Sequence, residues 1–202
     1  MKLCKCLILV SALVLMAGAA SAQNLLVNGD FETGDLTGWT VSGLSASSGV
    51  TVESPDNGPS LPGTHNAFLN NSAQAIGLNL RQSTADGSVG AGLVTFSFDA
   101  KLIEANAGGV VFAEVIAEEA GGGLLASSGL LGPLWPWDAW ETFGGSFNAP
   151  VGTDFLTIRI EAATGANVDS NCLLHVDNVS VESEGAVPVD AATWSGVKAL
   201  YR

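Results

Sequence analysis

Apolar and polar residues alternate with a period of two through much of the chain beyond its N-terminal segment. The clearest run is Leu93 to Leu102, with Val94, Phe96, Phe98, Ala100 and Leu102 on one side and Thr95, Ser97, Asp99 and Lys101 on the other. Successive side chains of a strand point to opposite faces, so this run predicts a strand with one buried face and one wet face. The same pattern recurs at Ile76, Leu78 and Leu80, and at Val111, Ala113, Val115 and Ala117. It recurs again at Leu156, Ile158 and Ile160, where Thr157, Arg159 and Glu161 turn outward. Turn-forming clusters at Ser54 to Gly63, Thr84 to Gly92, Asn106 to Gly109 and Gly121 to Gly123 separate these runs. No helical periodicity precedes the last ten residues, and there is no internal repeat. Short strands punctuated in this way predict an all-β protein folded as an antiparallel β-sandwich.

The N-terminal segment breaks the pattern. Lys2 and Lys5 precede an apolar run from Cys6 to Met16, and Ala20-Ser21-Ala22 offers a cleavage site. This arrangement predicts a signal peptide over residues 1–22 and export to an extracellular, periplasmic or cell-surface location. The run is too short for a membrane span. Cleavage would remove two of the seven Lys and Arg and none of the 20 Asp and Glu, leaving five against 20, a formal charge of −15. Such a balance disfavours nucleic acid as a partner, because phosphate binding needs basic patches. Cys4 and Cys6 would leave with the peptide, so Cys172 would stand alone and form no disulfide within the chain.

Two stretches carry a family resemblance. Asn24 to Trp39 reads NLLVNGDFETGDLTGW, and Leu174 to Val181 reads LHVDNVSV. By local pattern the first predicts a strand over Leu25, Leu26 and Val27, a turn at Asn28-Gly29 and a second strand. Together the two stretches resemble the opening and the closing strand of jelly-roll carbohydrate-binding modules of the galactose-binding-like type, the glycosidase-associated family 4/9 modules of bacteria. The resemblance spans about the whole segment 23–183. It implies a jelly-roll sandwich, a polysaccharide or glycan as partner, and first and last strands that lie side by side.

That adjacency implies a structural calcium held by the Gly29 carbonyl and the Glu32 and Asp177 carboxylates, with a carbonyl near His65-Asn66 completing the shell. Hard oxygen donors of this kind suit calcium. One local feature agrees: the apolar positions run Leu174, Val176 and then Val179, Val181, so the alternation slips at Asp177-Asn178 as at a β-bulge. The other view of Asp30, Glu32 and Asp177 is that they are solvated turn acids.

Trp135-Pro136-Trp137 lies in a loop-like stretch from Gly129 to Trp140. Two indoles in a segment stiffened by proline are a candidate platform for sugar stacking; otherwise they cover the sandwich edge. Trp39 and Trp140 are expected to be packing residues. Catalysis finds little support, since no acid pair is singled out and no nucleophile or metalloprotease motif is present. His175 is expected to be a satisfied strand histidine.

Residues 184–202 change character: an acidic, Gly- and Pro-containing linker leads to Thr193 to Arg202, where Trp194, Val197 and Tyr201 share one helical face. Either this helix packs on the sandwich, or the linker presents residues 193–202, with Lys198 and Arg202, to surface or secretion machinery. The expectation as a whole is an exported, non-catalytic module that binds a glycan. Its alternatives are a structural or adhesive surface protein without a sugar site, and an accessory module acting beside a glycosidase.

Overall fold

The structure is a computed structural model that describes residues 23–54 and 65–187. The signal peptide expected over residues 1–22, most of the Ser54–Gly63 turn and the helix expected over 193–202 lie outside the described residues. Among the described residues eleven strands form two antiparallel sheets. The first sheet contains β1 (Thr40–Ser42), β4 (Gly77–Ser83), β10 (Phe155–Ala163), β6 (Val110–Glu118) and β7 (Leu124–Ser127), and β8 (Leu131–Leu134) also pairs with β6. The second runs β2 (Ser48–Glu53), β3 (Asn66–Asn71), β11 (Asn171–Ser183), β5 (Gly92–Asn106) and β9 (Glu141–Ala149).

The alternation read in the sequence holds. Val94, Phe96, Phe98, Ala100 and Leu102 of β5 are buried, as are Leu78 and Leu80 of β4, Val111 to Ala117 in alternation on β6, and Leu156, Ile158 and Ile160 of β10. Their side chains meet between the sheets, which is how two one-sided sheets remove their apolar faces from water. Cys172 lies in this core, and burial pushes its thiol up to about 12.

The opening stretch differs from the strand-turn-strand expected of it. Asn24 to Trp39 forms no strand, and the first ladder begins at Thr40. Asn28 and Phe31 adopt left-handed φ of 52° and 54°, which a strand cannot accommodate. Side chains replace the ladder: the Asn28 amide donates to Asp35 O, and Asn28 Oδ1 accepts from Thr33 N–H. The stretch nevertheless ties the two sheets together. Leu25 N–H donates to Val181 O of β11 at 2.8 Å, while the Gln82 amide of β4 exchanges hydrogen bonds with both main-chain groups of Val27. Phe31 is fully buried, and Trp39 packs against it in a tilted arrangement with centroids at 5.4 Å while donating its indole N–H to Asn28 O. Trp39 is therefore the core residue expected.

Gly129 to Trp140 is likewise not wholly loop, because β8 lies within it. At the other end, the chain stays bonded to the sandwich past residue 184: Glu184 N–H donates to Leu93 O and Val187 N–H to Ser88 O.

Candidate functional site

Gly29, Glu32 and Asp177 come to one end of the β3–β11 pair. Gly29 packs against the last strand so closely that a Cβ there would lie 2.1 Å from Val179 O, and its carbonyl accepts the Val179 N–H at 2.8 Å. Asp177 sits on the bulge, where the β5–β11 register shifts between Asp177 and Ser180 and Asn178 turns to φ 50°. The slip in the sequence alternation was this bulge. Glu32 Oε1 accepts the N–H of His65, whose ring lies 3.7 Å from Oε2. His65 precedes Asn66, and one further step of the Ala67↔Val176 register sets Asn66 opposite Asp177. Asp177 is 2 % exposed and directly faces Asp99 across the β5 ladder. Like charges paired across a ladder repel, so the neighbourhood favours a cation. Among the described residues no group of three or more His, Cys, Asp or Glu side chains is gathered as for a metal. The donor set would be two carboxylates completed by main-chain carbonyls, which fits a hard cation that prefers oxygen.

The face of the five-stranded sheet turned away from the core carries the other constellation. Thr51, Phe68, His175 and Lys101 form one cross-strand row over β2, β3, β11 and β5. The Phe68 ring stacks on His175 at 4.7 Å, and Trp140, just before β9, approaches the same imidazole at 6.2 Å. An aromatic band thus crosses the middle of an otherwise polar face. His175 Nδ1 is 2.7 Å from the buried Asn66 Oδ1. Burial, with Lys101 alongside, lowers its pKa to about 4, so the ring is neutral at ordinary pH. A groove of about 430 Å³ opens over β2 and β3, lined among others by Ser47, Thr51, Glu53, Phe68, Asn70 and Ser72.

Trp135 and Trp137 stand at the β5 side. Pro136 O accepts the Leu102 N–H and Asp138 N–H donates to Leu102 O, so the segment adds a short parallel bridge to β5 beyond the start of β9. The two indoles lie nearly parallel, 12° apart with centroids at 6.2 Å, and are 45 % and 46 % exposed. They are neither buried under the loop nor part of the groove. Counted in strand spacings of about 4.8 Å, the bridge is about 19 Å from β2. Phe68 is not legible in the sequence as a surface aromatic, because the short strand Asn66–Asn71 has weak apolar alternation. Trp140 is half-buried against His175 and therefore belongs to this outer face as well as to the packing.

No family model and no curated protein matches the chain. Solved structures do match in fold. The enzymatically active domain of bacteriophage CBA120 tailspike protein 4 superposes with a TM-score of 0.60 at 17% identity, over 79% of this chain and 21% of that one. The chain therefore spans about a fifth of that protein. The CBM22-1 xylan-binding domain of Paenibacillus barcinonensis Xyn10C gives 0.55 at 16% identity, over 84% of this chain and 100% of that one. TmCBM61 in complex with β-1,4-galactotriose gives 0.54 at 19% identity, over 81% of this chain and 100% of that one. The chain has the β-sandwich fold of carbohydrate-binding modules. Those two modules carry family numbers 61 and 22, so the likeness to family 4/9 stays at the level of the fold.

Proposed function

We propose that the protein is an exported, non-catalytic module that binds a glycan across the outer face of the five-stranded sheet. The groove over β2 and β3 holds one part of the saccharide, and Trp135 and Trp137 form a platform at the far rim. The observation that carries this reading is the pair of half-exposed, near-parallel indoles braced on β5. Large flat apolar rings left in water offer a surface to the C–H faces of a sugar, and no other pair of tryptophans among the described residues is so exposed. Phe68, His175 and Trp140 add a second aromatic group on that sheet, next to the groove. Neighbours of the same fold include a xylan-binding domain and a module bound to β-1,4-galactotriose, which agrees with this ligand class.

A structural calcium bound by the Gly29 carbonyl, Glu32 and Asp177 is part of the proposal. It would neutralise the acids gathered at one end of β11 and pin the N-terminal turn to that strand, with no part in ligand chemistry. The test of the glycan reading is affinity electrophoresis in gels containing soluble polysaccharides. Trp135→Ala and Trp137→Ala are each expected to weaken retardation at least about tenfold, the equivalent of 1.4 kcal/mol, with an unchanged melting temperature. Wild-type retardation in both variants, or unfolding as easy as that of a core tryptophan variant, would overturn the platform.

A further inference from the structure

The groove and the sheet face around it have an uneven charge. Among the described residues the only Lys and Arg are Arg81, Lys101 and Arg159, and Arg81 and Arg159 belong to β4 and β10 of the other sheet. Lys101 is thus the single Lys or Arg of the five-stranded sheet, on β5, two strands from β3 and three from β2. Among the described residues no Lys or Arg lines the groove, and the one charged side chain lining it is Glu53. We infer that Glu53 sets the specificity of this face, accepting hydroxyl hydrogen bonds from a neutral sugar and turning away chains that carry uronates. The inference rests on the glycan reading above and gives it a substrate class.

The geometry leaves the Glu53 carboxylate available. Among the described residues the ionisable group facing it is His175, whose Nδ1 lies at 3.7 Å, beyond hydrogen-bond distance. Asn66 Oδ1 lies 2.7 Å from that nitrogen and accepts the hydrogen bond of its N–H, so the carboxylate is not spent on the imidazole. Glu53 is paired with Asn66 at the end of β2, and Phe68 lies on the adjacent outward row. A sugar ring over Phe68 would therefore present its hydroxyls to an ionised acceptor, and hydrogen bonds to such acceptors are roughly twice as strong as neutral ones. A uronate in the same position would set carboxylate against carboxylate, with no Lys or Arg among the described lining residues to offset the repulsion.

The experiment runs the full chain in native gels containing xylan, β-1,4-galactan, β-glucan or polygalacturonate, beside Glu53→Gln, Glu53→Lys and Trp137→Ala. The expected result is retardation of the wild type by at least one neutral glycan and none by polygalacturonate. Glu53→Gln should keep its melting temperature and lose about tenfold in neutral-glycan affinity, in line with the weaker neutral acceptor. Glu53→Lys should begin to be held by polygalacturonate. Equal or stronger retention of the wild type by polygalacturonate overturns the inference, as does wild-type affinity in Glu53→Gln. If Trp137→Ala loses neutral binding while Glu53→Gln does not, the glycan reading stands and the role of Glu53 is refuted. A wild type held by no glycan overturns both.

Discussion

Truncating Trp39 to alanine separates a tryptophan that holds the fold from those that face solvent. Trp39 is 8 % exposed, so folding removes nearly the whole indole from water, about 200 Å². At about 25 cal/mol per Å² that area is worth roughly 5 kcal/mol as an upper bound. The ring also packs, tilted, against the fully buried Phe31 and donates its N–H to Asn28 O at 2.9 Å, a hydrogen bond of about 1 kcal/mol net. Partial collapse of the site around the vacated volume lowers the sum, and about 3 to 5 kcal/mol is the expected cost. For a domain of this size about 1 kcal/mol corresponds to roughly 2–4 °C, so the melting temperature should fall by about 6–20 °C. The loss should be larger than that of Trp39→Phe, which keeps an aromatic against Phe31 and gives up only the N–H and part of the volume. Thermal unfolding followed by circular dichroism reads the difference, with urea denaturation giving the free energy. A fall below about 3 °C for Trp39→Ala would refute the view that the turn-rich opening is clamped to the sandwich through Phe31 and Trp39.

Calcium should raise the melting temperature and chelator should lower it without unfolding the sandwich, since binding to the native state alone stabilises by about 2.7 kcal/mol at 100-fold excess over Kd. Glu32→Ala combined with Asp177→Ala should abolish that response, and identical wild-type curves in calcium and in chelator would remove the metal from the account. His175 gives a pH dependence of known sign. Its folded pKa of about 4 lies below the ordinary 6.5, so the unfolded chain binds the proton more readily, and stability present above pH 6.5 is lost as pH falls towards 4. At about 1.36 kcal/mol per unit the loss is on the order of 3 kcal/mol. His175→Gln should flatten urea midpoints measured between pH 7 and 4 relative to wild type; parallel profiles for the two proteins would show that the imidazole is not responsible.

The alternation of apolar residues was enough to determine the class of fold, because period two leaves a strand one apolar face and two such sheets must bury those faces against each other. It also disclosed the bulge at Asp177, since inserting a residue flips every later side chain and the slip from Val176 to Val179 records it. Trp39 was legible as core for a related reason: an indole beside Gly38 in a turn-rich opening has to find cover. The backbone of Asn24 to Trp39 was not legible, as Leu25-Leu26-Val27 has the composition of a strand and only side-chain hydrogen bonds and left-handed turns at Asn28 and Phe31 displace the ladder. The outer face was the most hidden part. Thr51, Phe68, His175 and Lys101 are separated by up to 124 positions in sequence and become one row only through the registers of three strand pairs. Likewise the acid Glu53 could have lain on any solvated strand end; its place in a groove without a cation follows from which strands neighbour β2, a consequence of pairing between distant segments that local propensity does not encode.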